Sequence, residues 1–312
     1  MQKILVLRAS GGLSNRLQVV LAGIAHCLLS GRALYVDWRD GMYSDDFSNV
    51  FPRWFHVRGL PTVEVIPAPQ KKELYPPFWQ GWLQEAVAVE YLFNNDHLNA
   101  ENRARTSIDF TRIDYPETVI VGWGADLQPA LALAPLLREQ AAALQQPFLA
   151  GYSDPQIIRW LAQEYLHLQA RLAQRVEDFA ARHFPHPHTV GIHIRHTDLQ
   201  SPLENMLACL RQITDTAEKA CNIFLATDNK HVQSTVGKMF PQAVFCPKHF
   251  PAGDEPLHCF VPDVANVPKG EEALIDMYLL SKCDELIYYH KSSFSRIPLL
   301  LADLPAARVH AL

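Results

Sequence analysis

The sequence predicts an α/β protein made of two doubly wound domains, and three observations carry the prediction. The chain opens with an aliphatic run that breaks into a glycine turn and then a long apolar segment. Its second half alternates short aliphatic runs with helix-length amphipathic ones, the pattern of a mostly parallel sheet. Its 312 residues suit two domains of ordinary size, at roughly 100–200 residues each.

The first half begins with Lys3–Leu7, compact enough for a buried strand. After Gly11-Gly12, Asn15–Leu29 is apolar on nearly every face, which predicts a helix buried on several sides and stopped at Gly31. Ala33–Val36 is the next expected strand. Residues 41–120 are rich in aromatics and prolines and show few clean periods. Thr118–Val121 reads as a strand and Gln128–Leu144 as a helix. Asp154 is expected as an N-cap with Pro155 at the first helical position. From there to His183 apolar residues recur at helical spacing (Ile157, Ile158, Leu161, Tyr165, Leu168, Leu172, Val176, Phe179). The domain change is placed near residue 150, giving domains 1–150 and 151–312.

The second half gives expected strands at Thr189–Ile194, Asn222–Ala226, Ala243–Phe245 and Glu285–Tyr289. Helices are expected at Glu204–Ala220, His231–Met239, Glu271–Lys282 and Ser295–Ala302, with a Pro- and Gly-rich loop before the third.

Bulk properties narrow the function. With 48% hydrophobic and 20% charged residues, the chain is too apolar for disorder and has enough material for a core. A net charge of −5 argues against a general nucleic-acid binder. An anionic ligand must then be held by a few placed cations. Cys27, Cys209, Cys221, Cys246, Cys259 and Cys283 are scattered with no C-x-x-C pair, so neither a zinc ribbon nor a redox motif is supported, and reduced thiols are expected. The N-terminus lacks the features of a signal peptide, and no run reaches the roughly 18 apolar residues that span a bilayer. A cytoplasmic protein is the expectation.

Ligands of parallel α/β sheets sit beyond the C-terminal ends of the strands, and four such places carry polar residues. In Gly191-Ile192-His193-Ile194-Arg195-His196-Thr197-Asp198, alternation puts His193 and Arg195 on one face. Arg195 offers a rigid charged fork for a phosphate, or it is a strand-end arginine paired with Asp198 beside a structural histidine. Thr227-Asp228-Asn229 reads as a ligand contact or as a plain helix cap. Asp276 lies inside an amphipathic helix, where it can accept from the N1 and N2 donors of a guanine ring or sit as an exposed charge. Ser292-Ser293-Phe294-Ser295 lies between a strand and a helix, as an anion site or a capped helix start.

The order H-x-R-x-x-D, T-D-[DN], D-x-x-x-L-S and S-S-F-S resembles the fucosyltransferase superfamily, which includes the α1,2-, α1,6- and protein O-fucosyltransferases and the rhizobial nodulation enzyme. Gly11-Gly12-Leu13-Ser14-Asn15-Arg16-Leu17 is similar to that family's G-G-L-G-N-Q-L loop, with Ser14 and Arg16 replacing a glycine and a glutamine. The likeness covers residues 1–35 and about 188–302. It implies a GT-B fold of two Rossmann-like domains facing a cleft, with the acceptor on the N-terminal side and a GDP-sugar on the C-terminal side. It also implies inversion at the anomeric carbon, GDP-fucose as donor substrate, no cofactor and no metal. By the same resemblance Arg195 binds the β-phosphate, His193 and Asp276 contact ribose and guanine, and Ser292, Ser293, Phe294 and Ser295 wrap the diphosphate. Gly11, Gly12, Asn15, Thr227 and Asp228 complete the implied donor site.

The chain contains no D-x-D triplet to place a metal on a diphosphate, so positive charge and N–H groups are expected to neutralise the leaving group. The base is open. In the α1,6 branch a glutamate lies a few residues past H-x-R-x-x-D. The ungapped equivalent here is Leu203, with Glu204 next to it, and Leu199 stands where that branch often has a lysine. Glu204, Asp198 and Asp37 are the candidates. The acceptor is expected to be a glycan or a lipid-linked saccharide, the latter bringing the chain to a membrane surface. A transferase using another GDP-sugar would present the same guanine contacts; a non-catalytic nucleotide-sugar or glycan-binding protein is the rival of a different class and would bind GDP without hydrolysis or transfer. The aromatic stretch Trp54–Trp82 is expected to be core, with stacking of acceptor sugar rings as its alternative.

Overall fold

A computed structural model describes residues 2–93, 99–217, 220–250 and 265–312. Cys259 and most of the Pro- and Gly-rich loop fall outside these residues. The chain divides into two compact units, Met1–Gln169 and Ala170–Leu312.

In the first unit β1 (Ile4–Arg8) leads through Gly11-Gly12 into α1 (Leu13–Ser30). All of Leu13–Cys27 except Asn15 is buried, as expected of a helix apolar on most faces. Gly31 closes it at φ 68°, a left-handed conformation that costs glycine little. There follow β2 (Ala33–Asp37), α2 (Phe51–Trp54), β3 (Phe55–Val57), β4 (Leu74–Tyr75), α3 (Val89–Leu92), α4 (Ala100–Thr106), β5 (Val119–Gly122), α5 (Gln128–Glu139), α6 (Asp154–Tyr165) and β6 (Leu166–Leu168). The parallel sheet runs β2-β1-β5-β4, and β3 pairs antiparallel with β6. Phe51, Trp54, Phe55 and Trp79 are buried, so the aromatic stretch is largely core, whereas Trp82 is 42% exposed.

Three expectations shift here. The helix from Gln128 ends at Glu139, not Leu144: the following residues form a turn in which Gln145 takes φ 58° and Gln146 N–H donates to Ala141 O. Ser153, not Asp154, is the N-cap, because Gln156 closes a capping box with it; Asp154 becomes the first helical residue and pairs with Arg138. The helical spacing from 154 to 183 is interrupted at Leu166–Leu168, where Leu166 and Leu168 alternate with His167 in a short strand against Phe55–Val57. Residues 151–169, read as the start of the second domain, therefore pack with the first unit.

The second unit contains α7 (Ala170–His183), β7 (Thr189–Ile194), α8 (Leu203–Thr216), β8 (Asn222–Thr227), α9 (Lys230–Met239), β9 (Ala243–Val244), α10 (Asn266–Leu280), β10 (Glu285–Tyr288), α11 (Arg296–Ala302) and β11 (Val309–Ala311). Helix α8 stops at Thr216, short of Ala220, and α10 begins five residues before the expected Glu271. The sheet is parallel throughout, in the order β11-β10-β7-β8-β9. Val190, Ile192 and Ile194 face α8 and α9, packing with Met206, Leu210, Val232 and Val236. Gly191 and His193 face the other way by alternation. The chain leaves β7 toward β8 and β9, then crosses back to β10 and β11. The strand order reverses between β7 and β10, where the crevice of a doubly wound sheet opens.

Gly191 sits at this reversal under tight packing. A Cβ there would lie 2.7 Å from Leu286 Cδ2 and 2.8 Å from Cys283 Sγ. Gly191→Ala is expected to destabilise the protein by about 1–3 kcal/mol through overpacking, read as a lower urea midpoint at unchanged slope.

Candidate active site

Residues of the second unit gather at the C-terminal ends of β7, β8 and β10. His193, the penultimate residue of β7, is buried and shares a 2.7 Å hydrogen bond between its Nδ1 and Ser295 Oγ. Its ring also packs on Phe294, with centroids 4.7 Å apart. Burial pulls its pKa down to about 3, helped by the nearby charges of Arg195 and Lys248, so the imidazole is neutral at ordinary pH. The turn Ser293–Ser295 is thus fastened to β7 by both a hydroxyl and an aromatic ring. Ser292, next to it, is buried, and its Oγ has no hydrogen-bond partner.

Strand β7 ends at Ile194, so the alternation expected for Arg195 does not continue through it. Arg195 Nε and Nη2 donate to Asp198 Oδ1 and Oδ2 at 2.8 and 2.6 Å, and Nε lies 4.0 Å from Asp228 Oδ2. The pairing weighed as the structural alternative is present, and it leaves Nη1 without a protein partner among the described residues. Ser201 braces the segment: its backbone N–H donates to Arg195 O and its Oγ accepts from Arg195 N–H. Asp228 accepts from His196 N–H and Thr197 Oγ1, both at 2.7 Å, while burial raises its pKa. The cap of α9 is Asn229, which accepts from His231 and Val232 N–H. The T-D-N motif therefore divides its work: Asn229 caps, Asp228 ties β8 to the loop after β7, and Thr227 offers its carbonyl to Lys248.

Asp276 is 3% exposed, not a surface charge on α10. Its Oδ2 accepts from Lys248 Nζ, and its Oδ1 is buried with no partner. Lys248 escaped the sequence reading, yet a signal existed: it is a cation just past a strand end in a loop otherwise rich in proline and glycine. Glu271, five residues before Asp276, accepts both oxygens' worth of hydrogen bonds from Arg171 at 2.8 and 2.6 Å, and one from Arg175 at 3.1 Å. These bonds join α7 to α10.

The remaining candidates make none of the hydrogen bonds just described. Glu204 is exposed in the first turn of α8. Gly11, Gly12 and Asn15 belong to the first unit. Gly11 has φ +66°, and a Cβ there would meet Asn15 Nδ2 at 2.8 Å. Arg16 anchors this loop from behind, donating to Gly11 O at 2.7 Å and to Asp40. Asn15 Oδ1 is buried without a partner. Asp37 has both oxygens engaged by Arg8 and Arg39, which suits a structural anion better than a base. Cys27, Cys209, Cys221, Cys246 and Cys283 are unpaired thiols. Among the described residues no three His, Cys, Asp or Glu side chains are grouped to hold a metal ion, and no helix is long and apolar enough to cross a membrane.

Comparison with known proteins places this arrangement. The family described as Nodulation protein Z (NodZ) matches residues 152–309. Nodulation protein Z of Sinorhizobium fredii is 26% identical over 305 residues, covering 92% of this chain and 86% of that protein. The crystal structure of NodZ alpha-1,6-fucosyltransferase soaked with GDP-fucose superposes with a TM-score of 0.67 at 22% identity, over 96% of this chain and 93% of that one. A mutant of Arabidopsis thaliana FUT1 in complex with GDP gives 0.59 at 14% identity, over 99% and 72%. The two parallel-sheet units are those of the GT-B fucosyltransferase fold. With half of its length matched by the family and nearly all of it aligned to individual members, the chain belongs to the NodZ family of fucosyltransferases.

Proposed function

We propose that this chain transfers fucose from GDP-fucose to a saccharide or lipid-linked saccharide acceptor, inverting the anomeric centre and using side chains in place of a metal ion. The observation that carries this reading is the convergence at the β7–β10 reversal. An arginine with an unpaired nitrogen and a neutral histidine at the end of β7, a buried hydroxyl after β10 and a buried carboxylate oxygen on α10 come from three separate segments, the last two groups without partners.

Each group suits one part of the donor. Arg195, oriented by Asp198, supplies charge to the β-phosphate. The bond from the anomeric carbon to the β-phosphate oxygen breaks, and GDP departs with the electron pair. The acceptor oxygen forms the new glycosidic bond from the opposite face and gives its proton to a base. As the sugar gains oxocarbenium character, negative charge grows on the diphosphate, where a preorganised donor is worth about 3–4 kcal/mol. Ser292 and the Ser293–Ser295 turn add hydroxyl and N–H donors there. With Nδ1 accepting from Ser295, His193 presents Nε2–H to a ribose hydroxyl. Asp276 Oδ1 receives a guanine N–H. Thr227 and Asp228 stand behind these groups at the end of β8. For the base, Glu204 is favoured over Asp198, because Arg195 already occupies both Asp198 oxygens.

Arg195→Ala is expected to lower kcat by about 10²–10³-fold while leaving the fold intact. GDP-fucose turnover on a mixed glycan acceptor set should be unchanged by excess EDTA. An Arg195→Ala rate near wild type, or loss of turnover in EDTA, would refute this mechanism.

His193 gives a pH prediction. Its folded pKa lies below the unfolded value of about 6.5. Its burial is therefore free of protonation cost above that pH, and stability falls as pH drops from 6.5 toward 3. At pH 4.5 the loss amounts to about 2–3 kcal/mol. Urea unfolding at pH 7 and pH 4.5 should show a smaller difference in His193→Gln than in wild type.

A further inference from the structure

Lys248 and Asp276 are opposite charges in the interior, with side chains 4% and 5% exposed. Lys248 Nζ donates to Asp276 Oδ2 and, at 3.2 Å, to Thr227 O at the end of β8. The next residue is tied down as well: His249 N–H donates to Glu272 Oε2 at 3.0 Å. Glu272 and Asp276 are four residues apart on one face of α10. The segment carrying Lys248 is thus fastened along that face at two points, and its ammonium has little freedom to leave. Asp276 Oδ1, by contrast, is buried with no partner. A bare buried acceptor costs about 1–3 kcal/mol, a cost native proteins rarely keep where no ligand relieves it.

Lys248 decides what can relieve it. An isolated buried carboxyl would take up a proton, and a protonated carboxyl both donates and accepts. Beside an ammonium the group stays ionised, and an ionised carboxylate accepts only. Guanine presents two adjacent donors, N1–H and N2–H. Adenine presents a donor amine beside the N1 lone pair, which would face the carboxylate's own lone pairs.

We propose that Lys248 is a specificity-determining positioning residue of the nucleobase site. It engages Asp276 Oδ2 and keeps the carboxylate ionised, so that Oδ1 admits the donor edge of guanine and rejects adenine. This rests on the proposed function, in which Asp276 faces the donor's base. Burial lowers the pKa of Lys248 to about 8, which still leaves the ammonium charged at pH 7.

The test is calorimetric titration of GDP, IDP and ADP into the wild type, K248R and K248Q, with thermal melts to establish folding. The wild type should prefer GDP to ADP by about 100-fold or more. K248Q should lose at least about tenfold in GDP affinity, and its GDP-to-ADP ratio should fall toward one. K248R, which keeps the charge, should hold the wild-type ratio; a merely structural lysine would not move the ratio in this way. In the wild type the ratio should hold between pH 7.5 and pH 6, where a buried carboxyl lacking its ammonium would take up a proton, and this comparison decides alone if K248Q does not fold. A folded K248Q with the wild-type ratio, or a wild-type ratio that falls by pH 6, overturns the proposal and leaves the proposed function standing. A wild type that binds GDP no better than ADP overturns both.

Discussion

The hydrogen bond between His193 Nδ1 and Ser295 Oγ spans 102 residues of sequence and closes the place where the second sheet reverses its strand order. Strands β7 and β10 are neighbours in the sheet, but everything from α8 to α10 intervenes in the chain. The turn after β10 needs a tether to stand beside the end of β7, and the tether must tolerate a dry environment. A neutral imidazole sharing one proton with a hydroxyl satisfies both demands, and the ring of Phe294 covers it. A charged imidazole there would lie close to Arg195 and Lys248. The neutrality of His193 therefore lets two cations, Arg195 and Lys248, share one crevice with it.

Around that tether, ionic groups serve orientation more than stability. Buried ion pairs recover little beyond their desolvation cost, but they restrict where a side chain can point. Asp198 aims the fork of Arg195 and Lys248 occupies one oxygen of Asp276, while Arg171 and Arg175 hold Glu271 and with it the register of α10 against α7. The first unit uses the same device. Arg8 pairs with Asp37 across β1 and β2 and also donates to the carbonyls of Trp82 and Glu85, so one buried cation joins the sheet to the loop that crosses above it. Trp79 stacks on that guanidinium at 4.9 Å.

Much of the architecture was legible because local pattern and tertiary demand agreed. The run Asn15–Leu29, apolar on nearly every face, reads as a helix buried on several sides, and α1 is one. The aliphatic strands β7 and β8 read correctly because a parallel sheet covered on both faces asks for continuous burial. Misreadings fell where short segments served distant partners. Leu166–Leu168 kept a helical spacing yet became a strand because Phe55–Val57 needed one. The edge strand β11 went unread because its pairing comes from β10, its neighbour in the sheet. In the candidate site, motif order picked out Arg195, His193, Asp276 and the serine turn. Lys248 was passed over because its only local mark is a positive charge in a loop.

The sequence by itself determined which residues could do chemistry at the strand ends, since side-chain type and spacing are local properties. It also determined the α/β alternation that brings strand ends to one side of a sheet. The tertiary structure decided what each of those residues does there. Asp276 is a buried acceptor and not a surface charge, Asn229 rather than Asp228 is the cap, and Asp198 holds Arg195 in place. Burial and a partner 28 residues away decide the first of these; the other two were open alternatives in the local sequence, and the contacts of Asp228 with the loop after β7 chose between them.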